Sequence, residues 1–138
     1  MNTRRLTAIF SVALLVACAG TPGPGDSGYL YNVIGPYSGQ FVVDGQALPS
    51  TMQLETAPGG AVTGTFRVPI MGITGVLEGT VIDDQLTLTG NYRNPETGCD
   101  SGIAEVTATI GEDGTSIQGR VEVSECGQFL SGTARFSR

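Results

Sequence analysis

The sequence predicts an all-β domain in which about eight antiparallel strands form a meander that closes into a small barrel. Three observations predict this fold. From Tyr37 onward, apolar residues recur at every second position, which is the period of a strand and not of a helix. The links between the apolar runs are short and rich in turn-forming residues, which favours antiparallel neighbours. Glycines recur inside the runs, on their apolar side.

Each run with this alternation is predicted to be one strand. The predicted strands cover residues 37–43, 50–56, 61–68, 72–82, 85–93, 101–110, 116–124 and 129–137. Along every run one face is apolar, and the other carries Thr, Glu and Arg side chains. A transmembrane barrel needs the reverse arrangement, with an apolar outside, so the pattern predicts a soluble barrel with an apolar interior.

Five strands repeat a motif with glycine at its centre. The motif reads VTGTF at 62–66, ITGVL at 73–77, LTGNY at 88–92, IQGRV at 117–121 and LSGTA at 130–134. A glycine on the inner face lets a strand coil sharply where a side chain would collide with its neighbours. The motif therefore favours a tightly rolled barrel, with a two-sheet sandwich as the alternative, since glycines also mark strands that cross between sheets.

The first 17 residues are predicted to be a signal peptide. Arg4 and Arg5 precede an apolar run of a dozen residues, LTAIFSVALLVA, which is too short to span a bilayer as a helix. The run ends in Leu-Val-Ala-Cys at 15–18, which resembles the lipobox of bacterial lipoproteins. The resemblance implies cleavage before Cys18 and lipidation of that cysteine, with palmitate among the attached chains. The alternative is an ordinary secretory signal followed by a chance cysteine.

The lipobox resemblance also implies an exported protein that is anchored in a membrane by lipid. Ala19 follows the cysteine, where an aspartate would favour retention in the inner membrane. The expected location is therefore the outer membrane if the cell is diderm, and the outer face of the cell membrane otherwise. Residues 18–36 are expected to form the lipidated cysteine and a flexible Gly/Pro tether, and 37–138 the barrel domain. Within this tether, 29–36 belong to a stretch that reads either as an edge strand or as a segment laid across the domain.

Cys99 and Cys126 remain after lipidation of the third cysteine. An even pair in an oxidising compartment predicts a disulfide bond, with two free thiols as the alternative. In a meander the two cysteines lie at the same end of the barrel, because the connections 44–49, 69–72, 94–100 and 125–128 alternate with the others.

The two ends of the predicted barrel differ in their connections. Tight turns at 57–60, 83–84 and 112–114 share one end with the tether, which places that end nearer the membrane. The disulfide end carries apolar residues on its connections, and these are candidate recognition residues. They are Leu48, Pro49, Ile70 and Met71. The alternative is that they cap the mouth of the barrel.

The composition offers little for catalysis, and we expect no enzyme activity and no cofactor. The chain has no histidine and no lysine, and every acidic residue from Glu55 onward is predicted to lie on the outward face or in a turn. Asp83, Asp84, Glu112 and Asp113 fall in turns at one end and are a weak candidate Ca²⁺ site, because no spacing matches a known calcium loop and ordinary polar hairpin turns are the favoured interpretation. A nucleic-acid partner is not expected, because only five arginines oppose 13 acidic residues after cleavage.

The stretch YSGQFVV at 37–43 resembles the opening strand of lipocalin- and avidin-type barrels, which include bacterial inhibitors of metalloproteases. Phe41 stands where those barrels often carry tryptophan. The expected function is a non-catalytic interaction or structural module with an envelope protein as partner. Alternatives are a carrier of a small apolar ligand and a protease-inhibitor-like barrel. The candidate interior lining is Phe41, Leu54, Phe66, Leu88, Tyr92, Val121 and Phe136.

Overall fold

A computed structural model describes residues 20–138, and the predicted signal peptide and Cys18 lie outside the described residues. The strands are β1 Gly35–Val43, β2 Gln46–Thr56, β3 Ala61–Val68, β4 Ile73–Ile82, β5 Gln85–Asn94, β6 Cys99–Ile110, β7 Ser116–Glu125 and β8 Gln128–Ser137. They form a closed barrel in chain order, in which every neighbouring pair is antiparallel and β1 pairs with β8. The predicted eight-stranded barrel is confirmed, and the sandwich alternative is wrong. No helix in residues 20–138 is long and apolar enough to cross a membrane.

Glycines allow the sheet to close so tightly. At several glycines inside the strands, an added side-chain carbon would overlap a backbone carbonyl oxygen of the neighbouring strand. The two strands therefore approach too closely at these positions for any other residue. The glycines with this contact are Gly39, Gly64, Gly75, Gly79, Gly119 and Gly132. They lie in β1, β3, β4, β7 and β8, so the constraint extends around the barrel and includes both strands of the closing pair.

Two hairpin turns are tighter than the sequence predicts. Asp44 and Gly45 both have positive φ (51° and 77°), as do Cys126 and Gly127 (44° and 84°). Two-residue turns of this kind match the twist of the strands, so pairing continues right up to the turn. As a result β2 begins at Gln46 and not at residue 50, and the predicted loop 44–49 is reduced to two residues.

The barrel interior is filled at the end that carries the β2–β3, β4–β5 and β6–β7 connections, opposite the two turns just described. This end is the tight-turn end predicted from the sequence. Tyr37, Leu54, Leu86 and Ile117 are completely buried there. Phe136 packs edge-on against Phe41, with ring centroids 5.0 Å apart. The inward residues predicted from the strand period therefore form one continuous core.

The chain before β1 folds across the tight-turn end. The Pro24 carbonyl accepts a hydrogen bond from the Gly59 amide (3.0 Å), and the Asn32 side chain bonds the Gly25 amide and the Asp26 carbonyl (2.8 Å each). Val33 is fully buried. The contacts of Pro24 and Val33 place residues 23–34 against the barrel, and β1 begins at Gly35.

Replacing a glycine that touches neighbouring backbone should cost more stability than replacing one that touches only side chains. Gly79→Ala places its methyl group on the backbone of Thr87 and Leu88, so we expect a loss of about 3 kcal/mol or failure to fold. Gly90→Ala is the matched control, because its methyl group would meet the Phe66 and Leu77 side chains at 3.0 and 3.1 Å. Urea unfolding measures both, and equal losses would contradict the account of barrel closure.

Candidate functional site

A pocket opens into the barrel at the disulfide end, which carries the turns 44–45, 69–72, 95–98 and 126–127. Its volume is about 90 Å³, and every strand contributes to its wall. The lining residues are Phe41, Val43, Leu48, Phe66, Val68, Met71, Ile73, Tyr92, Asn94, Ala104, Val121, Val123, Glu125 and Leu130. The wall is therefore almost entirely apolar, with three polar side chains set into one part of it.

Three aromatic rings form one side of this pocket. Phe66 stands edge-on to Phe41 and to Tyr92, with ring centroids 6.5 and 6.1 Å apart. The Phe66 ring occupies space that side chains at Gly75 and Gly90 would take, so the glycines of the repeated motif also set the shape of the pocket. The pocket thus has a rigid aromatic wall built on strands of the barrel.

Glu125 is the one charged side chain that is buried in residues 20–138. It is 7% exposed, and its Oε1 atom has no hydrogen-bond partner among the described residues. The sequence-based expectation that every acidic residue lies outside the core or in a turn is wrong here. β7 continues to Glu125, which shares the inward face with Val121 and Val123, because the two-residue turn keeps Glu125 paired with Gln128 of β8.

Tyr92 lies beside Glu125 because a glycine separates them in the sheet. Gly102 of β6 pairs with Tyr92 on one side and with Glu125 on the other, and a side chain on Gly102 would overlap the tyrosine ring. Burial raises the pKa of Tyr92 to about 12, and the nearby Glu125 carboxylate adds to the increase. At neutral pH the Tyr92 phenol is therefore protonated.

Asn94 is the third polar residue of the pocket. Its side chain is 2% exposed, and its Oδ1 accepts a hydrogen bond from the Glu96 amide (3.0 Å). The pairing of β5 with β6 shifts register between Tyr92 and Asn94, which pairs with Cys99. Such bulges commonly redirect side chains beside functional sites.

The predicted disulfide joins Cys99 to Cys126, at the end of the barrel where the meander places both residues. It connects the first residue of β6 to the turn that follows Glu125. The 27-residue separation corresponds to about 3–4 kcal/mol of stabilisation by loop-closure entropy. The bond therefore fixes the rim of the pocket next to its buried carboxylate.

The candidate recognition residues divide into two groups. Leu48 and Met71 are half-buried and line the mouth of the pocket, which agrees with the alternative that these residues cap the mouth of the barrel. Ile70, on the 3₁₀ turn Pro69–Met71, is 62% exposed. Pro49 is exposed on β2 and not on a loop, because the preceding turn is only two residues long.

The candidate interior residues also separate. Phe41, Phe66, Tyr92 and Val121 line the pocket. The other three, Leu54, Leu88 and Phe136, are buried in the filled part of the barrel. The interior is thus neither one long cavity nor completely filled.

Sequence reasoning missed the exposed apolar residues on the outside of the wall. Phe129 is 83% exposed on β8, next to the Cys126–Gly127 turn, and Ile103 is 41% exposed on β6. Ser124 pairs with both residues, so the three lie in one row across the sheet. The strand period could have revealed Phe129, because it is adjacent to the inward-facing Leu130 and therefore faces outward.

The acidic residues of the candidate Ca²⁺ site are not brought together. No group of three or more His, Cys, Asp or Glu side chains in residues 20–138 could hold a metal ion. Two of the four residues instead offer their main-chain carbonyls, with Asp83 accepting from the Tyr29 hydroxyl (3.0 Å) and Asp113 from Arg138 (2.8 Å). These contacts fasten the N- and C-terminal segments to the turns.

Comparisons with known proteins return no match. No protein-family model, no curated protein and no solved structure matches this chain. The function of the site is therefore inferred from its own residues.

The raised pKa of Tyr92 predicts a loss of stability in alkali. The unfolded tyrosine ionises near pH 10 and the folded one near 12, so the folded barrel keeps a proton that the unfolded chain releases. Stability present below pH 10 is then lost as the pH rises towards 12. Tyr92→Phe should lose less stability over this interval, by an amount on the order of 1 kcal/mol after allowance for partial exposure.

Urea unfolding at pH 9, 10 and 11 measures the difference between Tyr92→Phe and the parent protein. Absorbance titration of tyrosinate checks its origin, with the urea-unfolded chain as the reference in which tyrosines ionise near 10. Identical pH dependence of the two proteins would show that Tyr92 is not in the surroundings described above.

Proposed function

We propose that this protein is an exported, lipid-anchored envelope module that binds a partner through the disulfide end of its barrel. The difference between the two ends is the observation that supports the proposal. The tight-turn end is covered by residues 23–34, whereas the disulfide end is open. Ile70 and Phe129, exposed by 62% and 83%, flank that opening on different sides of the barrel.

Anchoring through Cys18 rests on the lipobox resemblance, and the position of the tether supports the orientation. Pro24, which is already in contact with the tight-turn end, lies six positions after Cys18. A coil of that length reaches roughly 12–15 Å, so a lipid on Cys18 would hold this end close to the bilayer. The disulfide end would then point away from the membrane.

Exposed apolar residues at the tight-turn end are consistent with this orientation. Leu30, Ile34 and Ile82 are exposed by 55%, 46% and 66%. In the proposed orientation they would contact the polar–apolar boundary of the bilayer, where short apolar side chains add to the attachment that lipid chains provide. The same residues would have no clear role if this end faced the surrounding water.

The size of the pocket favours contact with a small group over transport of a lipid. Pockets for small-molecule ligands commonly occupy about 300–1,000 Å³, and the one here has about 90 Å³. A fatty acid does not fit such a space without opening the barrel. The apolar-carrier alternative therefore receives less support than recognition at the rim.

A binding role also suits the chemistry of the buried groups better than catalysis does. Glu125 has a phenol beside it, and the pocket lining includes no second carboxylate and no imidazole. General acid–base catalysis is most effective when the pKa of the group lies near the working pH, and the pKa of the Tyr92 phenol is raised to about 12. We therefore propose a module that recognises and holds its partner without transforming it.

Photo-crosslinking in intact cells should separate the two ends. A photoreactive residue at position 70 or 129 is expected to link to a protein partner, and one at position 82 to phospholipid. Position 82 is the matched control, because Ile82 and Ile70 are similarly exposed (66% and 62%) at opposite ends of the barrel. Cys18→Ser should abolish palmitate labelling and move the protein out of the membrane fraction.

Two results would contradict the proposal. Lipid crosslinks from positions 70 and 129 would reverse the orientation. Protein crosslinks that are equally frequent from all three positions would show that no single end is the binding end.

A further inference from the structure

We propose that the pocket binds a primary ammonium group on a short unbranched stem, with Glu125 as its counter-ion. The inference rests on the proposed function, since it supplies the chemistry recognised at the disulfide end. A lysine side chain of a partner and a free alkylamine share this chemistry. The observation behind the inference is a buried carboxylate oxygen without a partner, inside an apolar pocket that opens to the exterior.

A carboxylate in this position is costly for the folded protein. Removing an ionised group from water destabilises a protein by several kcal/mol unless hydrogen bonds or an opposite charge compensate. Most buried polar atoms in proteins do have a partner, so an exception requires an explanation. Glu125 Oε1 is such an exception among the described residues.

Residues 20–138 offer no cation to complete the site. The sequence contains no lysine and no histidine. Arg93 pairs with Asp100 (2.9 Å) outside the barrel, and Arg138 bonds carbonyls at the tight-turn end. The remaining described arginines, Arg67, Arg120 and Arg135, are exposed on the outward face of their strands. A cation that neutralises Glu125 must therefore enter from outside.

The shape of the pocket limits what this cation can be. An engineered apolar cavity of 150 Å³ accepts benzene, and this pocket, at about 90 Å³, is smaller. A slender aliphatic stem fits such a space better than a ring or a branched group. An ammonium group on that stem is compact, whereas a guanidinium group is a wider plane. The walls suit a lysine-like stem, whose methylenes pack against apolar surface while the head remains polar.

The polar groups of the pocket match an ammonium head. The head has three donors, and the Glu125 carboxylate can accept a charge-assisted hydrogen bond from it. The Tyr92 hydroxyl oxygen beside Glu125 can accept another, and the aromatic rings of Phe41 and Phe66 line the same pocket. An anion would be repelled by Glu125, and a neutral apolar ligand would leave its oxygen unpaired.

The test uses the full lipidated chain in detergent micelles, titrated with n-butylammonium chloride and followed by amide chemical shifts. We expect saturable shifts around residues 92–94, 102–104 and 123–126, and binding of n-butanol and butyrate weaker by about tenfold or more. Glu125→Gln should weaken n-butylammonium binding by a similar factor. Glu122→Gln is the matched control, because it removes the same charge from the exposed face of the same strand and should bind as the parent does.

A second variant keeps the inference testable if Glu125→Gln does not fold. Ala104→Leu fills part of the pocket while retaining the carboxylate, and it should also weaken binding. A short blocked peptide with a central lysine then distinguishes the two sources, with norleucine replacing lysine as its control. Binding of both amine and lysine peptide supports a partner's lysine, and binding of the amine alone supports a small-molecule ligand.

The inference is overturned if n-butanol binds as tightly as n-butylammonium, or if neither the amine nor the lysine peptide binds. Crosslinking from positions 70 and 129 reports on the proposed function separately. If crosslinking to a protein partner is retained but the ammonium group does not bind, only the inference about the pocket is refuted. If crosslinking and ammonium binding are both absent, the proposal that the disulfide end is the binding end is refuted as well.

Discussion

The closure of one eight-stranded sheet onto itself, through pairing of β1 with β8, is the constraint on which the rest of the structure depends. So small a barrel brings backbone against backbone at several points, and glycine is the residue that tolerates the approach, as at Gly39 and Gly132 in the closing pair. The repeated glycine is therefore a condition of closure and not a sign of weak strands. It also leaves room for large rings, since Phe66 lies over Gly75 and Tyr92 over Gly102.

The two ends of the barrel differ because a segment of the chain covers only one of them. Residues 23–34 cover one end, with Val33 bonded through its amide and carbonyl to the Thr56 hydroxyl (3.0 and 2.9 Å). At the other end no segment of residues 20–138 covers the opening of the pocket, and the disulfide joins two parts of its rim. Glu125 is left inside because β7 maintains its inward alternation to its last residue.

Much of the fold follows from the strand period, because alternation records which side chains face the core. The eight strands, the apolar interior and the shared end of Cys99 and Cys126 are all predictable in this way. The burial of Glu125 does not follow from the sequence pattern, because that pattern ends the strand at residue 124 and places Glu125 in the turn. A shift of one residue along a strand moves a side chain to the other face of the sheet. The packing of Val33 was missed because it depends on tertiary contacts, which leave no periodic pattern in so short a segment. The fold itself does not require an apolar side chain at Phe129, which lies on the outward face of β8.

Proton NOE spectra of the protein test the central claim most directly, since closure, the glycine contacts and the site share one geometry. The account predicts contacts across the β1–β8 pair between Gly39 and Phe136, together with contacts from the Tyr92 ring to Gly102 and to the Glu125 side chain. Absence of the β1–β8 contacts would show an open sheet. A Tyr92 ring in contact with solvent and remote from Gly102 would remove the pocket chemistry even if the barrel is closed.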